Sequence, residues 1–267
     1  MPNFETKSGN TLHGPMTWIA SDVFIGRSLE AYGQYSAHET VLFQAFIAPG
    51  STVLDVGANI GVFTVALARL VTPTGRVLAF EPQIPVFELL SSNVETNCLT
   101  NVSLYQAGVG REAGTLNVPT LDYAADGNFG GVELSQDTSQ GTSVDIITID
   151  SLNLDACRLI KIDVEGMEAQ VIAGAGETIQ RLRPIIYVEN DRKQNAAELI
   201  LALLGLDYRL YLHLAPFYEP NNFYKNTNNY FGESVSANML CLPQEVEQNI
   251  EGLPELKAPE DLVSILP

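Results

Sequence analysis

Positive charge is scarce in this chain. Fourteen lysines and arginines face 32 aspartates and glutamates over 267 residues, a formal net charge of −18. A protein that neutralises a phosphate backbone clusters its cations, so the deficit argues against nucleic acid as a partner. Cysteine is sparse too: Cys98, Cys157 and Cys241 are odd in number, widely spaced and form no Cys-x-x-Cys pair. That pattern supports no disulfide framework and reads as buried free thiols in a reducing cytoplasm. No apolar run approaches the ~20 residues needed to span a bilayer. Met1 to Asn10 holds no basic stretch leading into an apolar one, so no signal peptide is visible. Internal repeats and low-complexity tracts are missing as well. The acidity is uneven: residues 101–157 hold eight acids against Arg111 alone, and 207–267 hold nine against three cations. A solvated, self-repelling surface explains this; a neutral or cationic acceptor is the sharper reading.

What is present is alternation. The pattern predicts a helix from Gln34 to Ala48, stopped by Pro49-Gly50, then strand 52–56, helix 61–71, strand 76–80, helix 84–98 and strand 102–106. An irregular, glycine-punctuated insert follows, over about 110–152. Alternation resumes with strand 158–163, helix 167–182, strand 185–189 and helix 193–204, and strands near 208–213 and 235–242 close the series. Strands interleaved with helices imply a doubly wound, mostly parallel sheet, an α/β fold. The expected organisation is one domain: a helical lead-in (1–50), the core sheet with its insert (51–206), a strand pair with an aromatic loop (207–243), and a loose or surface-wrapping acidic tail (244–267).

The most informative segment is Val53-Leu-Asp-Val-Gly-Ala-Asn-Ile-Gly-Val-Phe63. A strand ends at an acid, Asp55, and a turn on Gly57 and Gly61 starts a helix. Such turns hold adenosine-bearing ligands against the backbone. A dinucleotide fingerprint requires Gly-x-Gly-x-x-Gly, and here Asn59 occupies the middle glycine's place. An acid beside the turn suits a cationic ligand better than a pyrophosphate. S-adenosylmethionine, with a sulfonium, an ammonium and no phosphate, fits. A second strand ends in Phe80-Glu-Pro82, with Glu81 about 20 residues beyond Gly61, the distance at which an acid reaches ribose hydroxyls. Pro82 keeps Glu81 extended.

These residues carry a resemblance. With Tyr32-Gly-Gln-Tyr35 and Glu39, Leu54 to Thr64, Phe80 to Pro82, Leu159 to Glu168 and Ser236 to Pro243, the chain resembles FkbM-type S-adenosylmethionine-dependent methyltransferases from about residue 30 to 243. The block Ile160-Lys-Ile-Asp-Val-Glu-Gly-Met-Glu168 is the most particular to them. The resemblance implies a class I fold of seven strands with an antiparallel C-terminal pair. It places Tyr35 and Glu39 near the methionine end of the methyl donor, and it implies O-methylation of a glycan or natural-product hydroxyl.

The expected donor site comprises Asp55, Gly57, Ala58, Asn59, Gly61 and Phe63 from the first motif, Glu81 and Pro82 from the second, Ala107 beside the adenine, and Asp163. Asp55 and Asn59 are assigned to the amino-acid end. Asp163 and His213 are the two candidate general bases for an alcohol acceptor. Asp163, Glu189 and Asn190 form a candidate oxygen set for Mg²⁺. The aromatic and amide-rich stretch from Pro216 to Phe231 suits stacking on a sugar, or serves simply as a cover; Asn128-Phe129-Gly130 is a second acceptor-side element. Two rival readings stand beside the methyltransferase: a nicotinamide-dependent oxidoreductase on a similar sheet, and a binding protein without turnover.

Overall fold

The structure, a computed structural model, describes residues 4–136, 141–248 and 250–265. It opens with an antiparallel hairpin of β1 (Thr6–Thr11) and β2 (Gly14–Ile19), followed by α1 (Ile25–Tyr32) and α2 (Ala37–Gln44). The expected helical lead-in is therefore half strand. The hairpin is tied down by one side chain: fully buried Asn93 accepts from the Thr17 N–H and donates to the Thr17 and Ile60 carbonyls. Next come β3 (Thr52–Val56), α3 (Val62–Val71), β4 (Arg76–Phe80), α4 (Ile84–Thr96) and β5 (Val102–Tyr105). The insert forms its own three-stranded sheet from β6 (Gly108–Val109), β7 (Gly114–Val118) and β8 (Thr142–Ile147).

The core resumes with β9 (Leu159–Ile162), α5 (Glu168–Ala173), α6 (Gly176–Leu182), β10 (Ile185–Glu189) and α7 (Lys193–Gly205), then β11 (Tyr208–Pro216), β12 (Val235–Pro243), β13 (Glu255–Leu256) and α8 (Pro259–Ile265). The single helix expected over 167–182 breaks in two. A Cβ at Gly174 would lie 2.0 Å from the Gly110 carbonyl oxygen, so the chain bends where only glycine fits. The second piece starts on the Asp150 carboxylate, which accepts from the N–H groups of Glu177 and Thr178 at 3.0 and 2.8 Å.

The main sheet has the order β13-β11-β12-β10-β9-β3-β4-β5. Neighbours from β10 to β5 are parallel; β12 runs antiparallel to both β10 and β11. Among the described residues this sheet has eight strands rather than seven, because the acidic tail contributes β13, paired with β11 at Leu210 and Tyr211. The chain leaves β3 toward one edge and returns through β9 toward the other. Adjacent β3 and β9 thus form the topological switch point, and the crevice opens at their carboxyl ends.

Alternation divides each central strand between two helical layers. Leu54, Val56, Ile160, Ile162, Ile186 and Val188 face α5 and α7 in one fully apolar layer. Val53, Leu159, Ile185 and Tyr187 face α2 and α3 with Phe43, Phe63 and Leu67. Among the described residues no helix is long and apolar enough to cross a membrane. Cys157 and Cys241 are buried free thiols, as expected, but Cys98 is exposed: it follows α4 in a left-handed turn with φ 53°.

Candidate active site

The glycine turn is built as its residues dictate. Gly57 has φ +80° and Gly61 φ +92°, a region side chains rarely enter. A Cβ on Gly57 would stand 1.8 Å from the Asp163 carbonyl oxygen, so the end of β9 closes directly on the turn. The Gly57 and Ala58 N–H groups donate to the Phe80 carbonyl, drawing the turn over β4. Glu81 then clamps it. One carboxylate oxygen accepts from the Asn59 N–H at 3.0 Å, the other from the Gln83 N–H at 2.8 Å. Burial pushes the Glu81 carboxyl up to about 7 against those two bonds.

Two adjoining cavities open here. The larger, of about 340 Å³, is walled by Tyr35, Ala58, Asn59, Phe63, Lys161, Glu189 and the aromatic rings of Phe24 and Phe217. The smaller, of about 40 Å³, is lined by Pro82, Ala107, Gly108 and Leu134. Gly57, Glu81, Gly130, Asp163 and Glu165 belong to both. Most of the expected donor-site residues therefore share one crevice, with Glu81 and Asp163 on either side of Gly57.

Three expectations need correction. Asp55 is not on the wall: it is one residue short of the strand end, so its side chain turns into the sheet–helix layer. There its Oδ2 accepts from the Thr64 hydroxyl at 2.6 Å, and the Lys161 ammonium stands 3.7 Å from its Oδ1. Glu39 is likewise buried behind the wall, accepting from the Ser36 hydroxyl at 2.6 Å, with its carboxyl raised by burial to about 7. His213 lies off the crevice. It shares a 2.7 Å hydrogen bond through Nδ1 with the Tyr187 hydroxyl, and burial with nearby His38 lowers its pKa. Alternation along β11 turns it to the face that α2 covers, which short-range pattern left open.

The oxygen cluster also differs from expectation. Asn190 is buried; its amide donates to the Met239 sulfur and its N–H to the Ala237 carbonyl. Glu165 takes its place: Asp163, Glu165 and Glu189 bring carboxylate oxygens within 4.8 Å of one another. Glu165 follows β9 with φ +47° and is held by Arg192 at 2.5 Å, while Arg192 also binds Glu133. Burial, then Asp163, raises the Glu189 carboxyl well above its ordinary value.

In the loop from Pro216 to Phe231, most amides serve the loop itself. Asn222 donates to the Glu219 and Asn226 carbonyls, and Asn226 donates to Ala31. The rings of Phe217 and Phe231 pack at 5.6 Å, and Phe24 meets Phe217 at 5.5 Å. The loop is thus a cover that lends Phe217 to the cavity. From the insert, Asn128 and Gly130 line the cavity, while Phe129 is buried and its carbonyl accepts from the Gln83 amide.

Sequence reasoning missed Lys161, Phe24, Glu165 and Asp191, all of which line the larger cavity. Lys161 had a signal: a lone cation inside the apolar strand Leu159-Ile-Lys-Ile162, which is otherwise entirely buried. It is 2% exposed, donates to Asp163 Oδ2 at 3.3 Å and sits 4.7 Å from the Phe63 ring. Burial opposes its charge, yet Asp163, Asp55 and Glu39 together hold its pKa above the ordinary lysine value.

The family model described as the methyltransferase FkbM domain matches residues 55–210. Among curated proteins, Methyltransferase 1 of Beauveria bassiana is 32% identical over 161 residues, covering 52% of this chain and 64% of that protein. Methyltransferase sdnD of Sordaria araneosa is 30% identical over 185 residues, covering 57% and 71% respectively. The solved structure of Methyltransferase FkbM from Methylobacillus flagellatus is similar at a TM-score of 0.44 and 17% identity, over 76% of this chain and 50% of that one. The chain thus spans about two thirds of the first relative's length and half of that solved chain.

Proposed function

Because the chain belongs to the methyltransferase FkbM family, we propose that it moves the methyl group of S-adenosylmethionine to a hydroxyl oxygen of a sugar, glycan or other natural product. The observation that carries this reading is the pairing of Glu81 and Asp163 across Gly57 in one crevice. Glu81, already held by two N–H groups, keeps lone pairs free for the ribose hydroxyls. Ala107 and Pro82 border the adenine, and the turn from Gly57 to Asn59 carries the amino-acid end. Tyr35 and Phe63 close the methionine side.

Methyl transfer to oxygen is an in-line displacement, so alignment of oxygen, carbon and sulfur supplies most of the rate. Asp163 is the base: it takes the hydroxyl proton as the oxygen lone pair forms the new C–O bond. The C–S bond breaks, its electrons return to sulfur, and the sulfonium becomes the neutral thioether of S-adenosylhomocysteine. Phe24 and Phe217 offer flat apolar faces to the acceptor, and Asn128 offers it an amide.

The cluster of Asp163, Glu165 and Glu189 favours a second reading of the same chemistry. These three oxygens suit a hard divalent cation, which when bound would supply Lewis-acid lowering of the acceptor hydroxyl's pKa. Labelled S-adenosylmethionine, offered with a panel of methyl glycosides and phenols, tests the assignment. The protein labels an acceptor, and Asp163→Asn lowers kcat by about 10²–10⁴-fold, the usual worth of a positioned base, while calorimetric affinity for S-adenosylhomocysteine stays within a few-fold. Chelator-treated protein that keeps its full rate removes the metal reading. No label on any acceptor, with S-adenosylhomocysteine still bound, leaves a binding protein.

A further inference from the structure

Lys161 is an expensive residue to keep where it is. It lies in β9 at the middle of the sheet, 2% exposed, and its strand neighbours are Ile160 and Ile162. A buried ammonium costs several kcal/mol unless it is paired, and an apolar side chain of similar volume commonly serves stability as well or better. Three carboxylates surround it. Asp55 stands beside it in register on β3; Asp163 is two residues on; Glu39 reaches over from α2. Tyr187, its partner in register on β10, completes the row.

The distances decide among these partners. Were Lys161 present only to neutralise Asp55, the buried pair would make the closest contact. Instead the ammonium donates to Asp163 Oδ2 at 3.3 Å and remains 3.7 Å from Asp55 Oδ1. That Asp55 oxygen is buried without any hydrogen-bond partner. Asp55 is held separately, through its other oxygen, by Thr64. The lysine therefore leans past the buried acid toward the one that faces the cavity.

What Asp163 needs there is restraint. Its side chain is 35% exposed, and the carboxyl groups of Glu165 and Glu189 crowd it within 4.8 Å. Its backbone is anchored, with the N–H donating to the Val56 carbonyl at 3.0 Å, but among the described residues Lys161 is the only cation within ion-pair reach of its carboxylate. The bond holds Oδ2, and the Asp163 residue lines both cavities.

We propose that Lys161 is a positioning residue for methyl transfer: from the cavity wall, where it is only 2% exposed, it grips Asp163 Oδ2 and so aims the other oxygen at the acceptor hydroxyl. It keeps its own proton throughout and touches neither donor nor acceptor. The inference rests on the assignment of Asp163 as base.

The test is the full chain carrying Lys161→Met, Asp55→Asn, or both, each crystallised with S-adenosylhomocysteine and assayed by label transfer to the acceptor panel. In Lys161→Met the Asp163 carboxylate shifts by about 1 Å and kcat falls by roughly 10²-fold, the penalty typical of that displacement. Affinity for S-adenosylhomocysteine stays within a few-fold. The double variant covers the case in which Lys161→Met alone fails to fold, since removing the Asp55 charge relieves the unpaired acid. It recovers thermal stability, while Asp163 stays displaced and kcat remains well below that of Asp55→Asn alone. A purely structural lysine gives the opposite: Asp163 unmoved, and kcat returning with stability in the double variant. Either result overturns the proposal. Asp163→Asn turning over at the wild-type rate overturns the base assignment and this inference together, whereas an unmoved Asp163 in Lys161→Met overturns only the latter.

Discussion

The two faces of the central sheet use the same strands and opposite chemistry. Toward α5 and α7, β3, β9 and β10 present Leu54, Val56, Ile160, Ile162, Ile186 and Val188, a layer without one polar side chain among these strand positions. Toward α2 and α3 the same strands present Asp55, Lys161 and Tyr187 in a single row, roofed by Glu39 and Thr64 and continued by His213. The first face holds the fold together by area removed from water. The second trades part of that for a polar network, which in a low-dielectric layer is rigid when complete and costly when broken. It is also the face whose row ends at the crevice, at Asp163. Charge has been admitted to the central strands where it can reach the site, and at none of those six strand positions of the other face.

Exchanging chemistry between the faces should break this contrast hardest. Ile160→Lys places an unpaired ammonium among apolar side chains and should prevent stable folding, seen as loss of the cooperative urea transition. Next in size, Ile160→Ala should cost about 2–5 kcal/mol in urea denaturation, as a core truncation that leaves a cavity. On the polar face, Tyr187→Phe removes one hydrogen bond to His213 and keeps the ring that meets Phe43 edge-on at 4.9 Å. Its cost should be only about 0.5–1.5 kcal/mol by the same measurement. Equal losses for Ile160→Ala and Tyr187→Phe would mean that the two layers do not differ in kind.

The last effect is read in pH, and the polar face contributes to it through Glu39. The Glu39 carboxyl is raised by burial to about 7 in the fold, above its unfolded value of 4.5. The unfolded chain therefore releases this proton first. The stabilisation is complete below about 4.5 and is lost as pH rises through about 7. Urea midpoints measured at pH 5 and pH 8 should fall for the wild type, and by less for Glu39→Gln. An identical fall in both proteins would remove Glu39 from the account.

Much of this could be read in the chain. The strands 52–56, 76–80 and 185–189 emerge at their expected bounds because each is a short apolar run closed by a turn signal. The hairpin at 6–19 was missed: its strands, Thr-Lys-Ser-Gly-Asn-Thr and Gly-Pro-Met-Thr-Trp-Ile, lack clean alternation and owe their order to Asn93, some eighty residues away. The tail strand β13 is two residues long, below what any period can reveal. In the site, Gly57, Glu81 and Asp163 were legible because strand ends and turns are local events. Asp55, Glu39 and His213 lie off the crevice: Asp55, one residue before the strand end, points into the helix layer, Glu39 is buried on α2, and His213 faces the side that α2 covers.

The sequence alone determined the alternating architecture, the glycine turn with its acids at strand ends, and the family resemblance. These depend on side-chain period and on backbone conformations that each residue permits by itself. Only the tertiary structure decided which acids face the crevice, that Glu165 rather than Asn190 joins Asp163 and Glu189, and that a lysine buried in mid-strand leans toward Asp163. Those outcomes depend on strand register and on how helices cap each face, which set Lys161 3.7 Å from Asp55 and 3.3 Å from Asp163.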